Sequence, residues 1–320
     1  MKLKDLFDSA IAVGMTKDPR GQDSVARQLE DAKKQYEKLK DDEKEYFDLS
    51  ALTNPYADSR LLCGTGQEEV DTVLLGIDIE VGELLLAKAL RAEGKRVDAV
   101  VAHHPEGTAY ARLHEVMAMQ SDILGRFGVP MGAAEDLLDK RIADVERRLL
   151  PVNHTRAVDA AKLLGIPMLC LHTPADNMVA SHLQDLFDSK KPARLSDLMD
   201  LLMEIPEYKD AKRTGAGPKI ILGSPKRTTG RVMVDMTGGT EGAKEIFQSL
   251  VTAGINTVVG MHFSDDHRKE AEKSHVNLVV AGHISSDNLG LNLLLDAVMA
   301  KAGTRINVLD CSGFRRFTRT

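Results

Sequence analysis

His103 and His104 stand side by side where an apolar run over 97–102 ends, and Pro105 follows them. Neutral imidazole is the commonest metal ligand among side chains, and neighbouring residues on extended backbone point to opposite sides. An adjacent His pair therefore suits two separate ions, or one ion and a loop, better than chelation of a single ion. Pro105 holds His104 extended, because its ring disfavours the α region for the residue before it. A second cluster, from Gly282 and His283 through Ser285 and Ser286 to Asp287, also follows an apolar run. With a helix starting near His283, His283 and Asp287 lie one turn apart on one face and can converge on one ion. The competing reading makes Ser285 or Ser286 a helix cap and Asp287 a favourable first-turn acid. A third apolar run, 167–171, ends in His172, with Asp176 four residues on. Three such runs ending in His are what one composite site requires, since ligands of open α/β sheets gather at the carboxyl ends of strands. Nitrogen and carboxylate ligands without thiolate suit Zn, Mn, Fe, Co or Ni. Such a set of candidate ligands suits a pair of divalent ions about 3.5 to 4 Å apart, whose usual product is a hydroxide nucleophilic near neutral pH.

The elements that must position these residues follow from hydrophobic period. Buried strands are expected over 72–77, 97–102, 167–171, 231–235, 257–261, 276–281 and 305–309. They alternate with helical patterns over 82–92, 110–127, 134–149, 155–164, 241–253, 266–274 and 287–302. This alternation predicts an α/β fold of largely parallel sheets covered by helices. A polar stretch over 189–217, with one helical pattern at 195–205, reads as a crossover between two similar lobes. Asp78 and the run ending at His103 are echoed by Asp235 and the run ending at Met261 and His262, with separations of 25 and 27 residues. If the echo is a repeat, the second lobe is a copy facing the first across a cleft. The expected organisation is an N-terminal helical extension over 1–53, a first α/β lobe over 54–190 and a second over 191–320. The final strand is a candidate to return to the first lobe. Within the extension, Leu3, Leu6, Phe7, Ala10 and Ile11 fall at helical spacing, and the charged segment 28–48 keeps a stripe of Leu29, Ala32, Tyr36 and Leu39.

Composition narrows the partners. The 320 residues are 43% apolar and 28% charged, a globular profile long enough for two cores. A formal net charge of −6 is poor equipment for a polyanion, and 4% aromatics without Trp leave few stacking platforms for single-stranded nucleic acid. No run approaches the roughly 18 to 20 apolar residues of a membrane span. Cys63, Cys170 and Cys311 are far apart with no Cys-x-x-Cys pair, which suits buried thiols in a cytoplasmic protein. Ser285 and Ser286 lack the Gly-x-Ser-x-Gly elbow of a serine nucleophile. Gly238 and Gly239 precede the helical pattern at 241–253, whose free N–H groups make them phosphate-binding candidates. Without a P-loop Lys, a tight turn is the plainer reading of that pair.

Residues 59–310 resemble the Nif-three-like dinuclear-metal proteins, also described as type 2 GTP cyclohydrolases. The carriers are Val70 to Asp78, leading to Val100, Val101, Ala102, His103, His104 and Pro105; then His172, Thr173 and Asp176; then Val279 to His283 with Ser286 and Asp287. The resemblance implies two α/β lobes with a dinuclear metal site in the cleft between them, held by His103, His104, Asp176, His283 and Asp287. Asp287 stands where that family usually carries the Glu that bridges the ions. It also implies a homohexameric ring and a metal-dependent hydrolase acting on a C–N bond of a nucleotide-like small molecule. His172, His262 and His267 are then candidates to donate or accept protons beside the ions. The reading from another class is a non-catalytic metal-binding or scaffold hexamer.

Overall fold

Short β-branched runs bounded by Gly, Pro and polar residues fold here as strands because both of their faces are covered. A computed structural model describes residues 1–319. Its strands are β1 (Arg60–Cys63), β2 (Thr72–Gly76), β3 (Ala99–Ala102), β4 (Met168–Cys170), β5 (Lys219–Leu222), β6 (Arg231–Asp235), β7 (Ile255–Gly260), β8 (Asn277–Val280) and β9 (Asn307–Cys311). They form two sheets, ordered β1-β4-β3-β2-β9 and β5-β8-β7-β6. In each sheet the first-named edge strand runs antiparallel to its neighbour with a register slip, after Leu61 in β1 and after Ile220 in β5. The remaining pairs are parallel. The chain is thus a mixed α/β protein built of two similar lobes.

Alternate residues of each strand feed opposite cores, as a pleated sheet with two buried faces demands. Val73, Leu75, Val101 and Leu169 face one cluster, and Leu74, Val100, Met168 and Cys170 face the other. In the second sheet Met233, Val258 and Leu278 face one cluster while Val232, Val234, Val259 and Val279 face another. Two long helices, Thr173–Lys190 after β4 and His283–Ala302 after β8, occupy equivalent places and pack on each other. A Cβ at Gly290 would overlap the Ala175 carbonyl, so glycine sets how closely these helices approach. The N-terminal helix Leu3–Thr16 packs on both, burying Leu3, Leu6, Ala10 and Val13.

Several sequence expectations are corrected. The helix expected at 28–48 starts earlier, as Gln22–Lys38, and stops where Leu39 turns extended; a short turn, Asp41–Lys44, follows. The pattern at 110–127 is three pieces, Gly107–Ala111, Leu113–Val116 and Met119–Phe127. The loop at Gly239 fills the break, so close that a Cβ there would meet Val116, Met117 and the Leu113 carbonyl. The pattern at 241–253 shrinks to Phe247–Thr252 behind a 3-10 turn, Lys244–Ile246, and the Glu241 side chain accepts from the Ser264 N–H. The last long helix starts at His283, made possible by Gly282 at φ +111°. The strands β1 and β5 and the helices Thr173–Lys190 and Pro206–Arg213 add to the expected set. Among the described residues no helix is long and apolar enough to cross a membrane.

Candidate metal centre

Because β3 and β4 are parallel neighbours, the residues that follow them emerge at the same edge of the first sheet. His103 and His104 follow β3, His172 follows β4, and Asp176 lies in the first turn of the next helix. The first turns of helix His283–Ala302 bring His283 and Asp287 to the same place. His103 is fully buried, and its Nδ1 donates to the Leu171 carbonyl at 3.0 Å. That bond leaves the lone pair on Nε2, which lies 3.5 Å from both Asp176 Oδ1 and Asp287 Oδ1. His104 Nδ1 is 2.7 Å from Asp78 Oδ1, and its Nε2 is 3.6 Å from Asp287 Oδ2. His172 Nδ1 is 2.8 Å from Asp58 Oδ2, and its Nε2 is 3.7 Å from Asp176 Oδ2. Asp58 is itself fixed, accepting from Thr173 Oγ1 at 2.6 Å and Ser59 Oγ at 3.2 Å. His283 Nε2 lies 3.7 Å from Asp287 Oδ2. The two oxygens of Asp287 thus face different imidazoles, Oδ1 toward His103 and Oδ2 toward His104 and His283.

The cluster contains polar atoms that the protein itself does not satisfy. His103 Nε2, Asp176 Oδ1 and both oxygens of Asp287 are buried without a hydrogen-bond partner. Such groups are costly unless paired or coordinated. Three sets of ligand atoms, His103/His104/His172, His104/His283/Asp287 and His103/Asp176/Asp287, each lie within 4.8 Å of one another. His103, His104 and His172 all have Nδ1 anchored by a carbonyl or carboxylate, the arrangement that fixes the ring and tautomer of metal-binding histidines. The donor set therefore fits divalent cations.

Electrostatics agree with that reading. Burial, joined by the charges of Asp287 and Asp58, holds the Asp176 carboxyl well above the usual carboxylate range. Burial acts in the same sense on Asp287, but His103, His104 and His283 overcome it and push Asp287 far down. His104 is pushed up to about 9, burial being outweighed by the nearby Asp287 carboxylate and the hydrogen bond to Asp78. A cation entering this cluster takes the place of protons, so its affinity rises with pH.

Neither a protein-family model nor a curated protein matches the sequence. A solved NIF3 superfamily protein from Sphaerobacter thermophilus does match, at 28% identity over 80% of this chain and 91% of that one, with a TM-score of 0.68. The chain resembles the NIF3 superfamily in sequence and fold. Two further solved structures are more distant: HcgD from Methanocaldococcus jannaschii, at 13% identity, 84% and 94% coverage and a TM-score of 0.48, and a protein from Thermus thermophilus, at 15% identity, 80% and 89% coverage and a TM-score of 0.44.

In this NIF3-like chain, His103, His104, Asp176, His283 and Asp287 come together in one cluster. His172, expected beside the ions, is anchored in the same way as His103 and His104 and presents its Nε2 to Asp176. The signal for it was the Asp four residues on, the same spacing as His283 and Asp287. Asp58 and Asp78 anchor two of the rings, and nothing in the sequence marks either as an anchor, because each reaches its His only through the fold. His262 lies across the cleft, its Nδ1 3.1 Å from Glu241 Oε1 and its ring centroid 5.0 Å from that of His283. His267 is engaged at both nitrogens within its own lobe, by Ser264 Oγ at 2.6 Å and the Gly242 carbonyl at 3.2 Å. Gly238 and Gly239 sit in a left-handed loop whose Gly238 carbonyl accepts from Gln120 Nε2 at 2.7 Å, and no helix opens directly after them.

Proposed function

We propose that the chain is a dinuclear metal-dependent hydrolase in which His103, His104, His172, Asp176, His283 and Asp287 hold two divalent ions, with Asp287 shared between them. The observation that carries this reading is the convergence of buried, unpartnered ligand atoms from three imidazole-bearing strand and helix ends. Divalent ions supply Lewis acidity and ready deprotonation of water near neutral pH. The chain's own part is to hold the three anchored rings in one tautomer, to balance charge with Asp176 and Asp287, and to keep the cluster at the floor of a cavity. That cavity, about 380 Å³ in volume and bordered by His104, His172, Asp176 and His283, favours catalysis over storage, since a metal store needs no room beside its ions. Hydrolysis of a C–N bond in a purine-like ring is the reaction proposed, on the likeness to type 2 GTP cyclohydrolases.

The same proposal includes a cytoplasmic homohexamer. Leu85, Leu86 and Leu163 are exposed on two packed helices, Val81–Ala92 and Arg156–Leu164, and such a patch supports self-association. The test of the reaction is ring opening across a panel of purine compounds with metal-loaded protein. Turnover that is abolished in His103→Ala is expected; full metal content with no turnover across the panel contradicts the hydrolase and favours the metal-binding scaffold.

A further inference from the structure

A second hollow, about 420 Å³ in volume, adjoins the metal cleft. The two share Asp235, Met236, Thr237, Gly242 and His267 as a dividing wall, and none of the proposed metal ligands lines the second. The hollow lies against β6, which is the edge of its sheet, so among the described residues no strand pairs beyond it. The Gln184 side chain closes that edge instead, donating to the Val232 carbonyl at 3.1 Å and accepting from the Val234 N–H at 2.9 Å. Leu124, Leu138, Met233, Phe247, Leu250 and Val258 line the space, and all belong to one core cluster. Protein cores pack to crystal-like density with few voids larger than a water molecule. A space of this size is outside ordinary packing and within the range of small-molecule pockets.

Gln120 supplies a polar contact inside it. Only 7% exposed, Gln120 lines the hollow, and its Nε2 donates to the Gly238 and Thr240 carbonyls at 2.7 and 2.8 Å. Those bonds fix the amide with Oε1 as acceptor, and among the described residues nothing donates to that oxygen. The rim sets Arg126 and Arg231 against Asp185 and Asp188. Both guanidinium groups already donate to backbone carbonyls, Arg126 to Pro19 at 2.8 Å and Arg231 to Phe127 and Ala253 at 3.0 Å. An ion entering the apolar interior would lose its hydration without gaining a counter-charge. We propose that the hollow is a second small-molecule site, for an uncharged, largely aromatic compound with one N–H or O–H that donates to Gln120 Oε1. The site needs no metal, so it stands or falls separately from the hydrolase reading.

The test is a fluorescence titration of the purified protein with N-phenyl-1-naphthylamine, a neutral aromatic amine with one N–H that brightens in apolar surroundings. Saturation at a single probe per chain is expected. The N-methyl analogue, which has no N–H, is expected to bind about three- to tenfold more weakly, the worth of one hydrogen bond. The double variant Ala243→Leu, Val258→Phe narrows the hollow and is expected to weaken the probe by at least about tenfold with metal content unchanged. The chain has no Trp, so Ile246→Trp places a single emitter on the wall of the hollow, and the bound probe is expected to quench it. That measurement locates the probe whether or not the filled variant folds. No saturable binding, equal binding of the N-methyl analogue, equal binding to a folded filled variant, or tryptophan emission untouched by saturating probe would each overturn the proposal.

Discussion

The two lobes share strand order, an antiparallel edge strand and even a register slip in that strand, yet their strand ends carry different chemistry. Ala102 in β3 pairs with Gly76 and Cys170, and Gly260 in β7 pairs with Asp235 and Val280, so the two hold matching places. The residues that follow are His103 and His104 in the first lobe but Met261 and His262 in the second. One strand over, Leu171 and His172 are matched by Ala281 and Gly282. Three of these four places are imidazoles in the first lobe and one in the second. The second lobe contributes instead the helix that carries His283 and Asp287 to the first lobe's strand ends. A repeated scaffold thus supplies position, and side-chain identity at the strand ends decides which copy carries the imidazole cluster.

The largest expected effect separates His104 from its counterpart in the other lobe. His104→Ala is expected to lower metal affinity by at least about 100-fold, since it removes a donor rather than an anchor. His262→Ala is expected to leave affinity unchanged; competition against a chromophoric chelator reads both, and equal losses would erase the distinction between lobes. The anchors come next. Asp58→Asn and Asp78→Asn each weaken binding by about 10- to 100-fold through loss of ring orientation, as the same titration measures.

The two helices that meet at the centre give a smaller effect. Gly290→Ala forces a methyl group against the Ala175 carbonyl and is expected to cost about 1–3 kcal/mol, read from the urea midpoint. An unchanged midpoint would show that the helices do not depend on that contact.

The edge strands differ least. Arg60 opens β1 buried, its Nη2 2.5 Å from Asp48 Oδ2, whereas Lys219 opens β5 exposed. Burial alone would raise the Asp48 carboxyl, but Arg60 and Arg112 hold it below its ordinary value. A carboxyl depressed in the folded state adds stability above its unfolded pKa of about 3.9, and that stability is lost as pH falls through the folded value. Asp48→Asn is therefore expected to cost about 1–2 kcal/mol at neutral pH, with the difference from the parent shrinking below about pH 4. Urea midpoints across pH check this, and Lys219→Ala should show no such dependence.

Much of the scaffold was legible because strands buried on both faces read as unbroken β-branched runs, and β6 matches its expected bounds. The edge strands β1 and β5 escaped because they are short, partly exposed and paired only with distant segments. Helix Thr173–Lys190 escaped because Asp176 and Asn177 are buried on it, and polar residues on an inward face erase the hydrophobic period. In the site, the imidazoles were legible from residue type and strand-end position. The equivalence of His172 with His103 was not, since it depends on Asp58, 114 residues earlier in the chain.

The central claim is that one lobe's strand ends and the other lobe's helix gather imidazoles and acids around two cations. Anomalous diffraction at transition-metal edges, on crystals of protein purified without chelators, tests it most directly. The account predicts two peaks about 3.5 to 4 Å apart, with Asp287 between them and His103, His104, His172, Asp176 and His283 around them. A map without peaks at this cluster, its side chains closed on one another by direct hydrogen bonds, would contradict it.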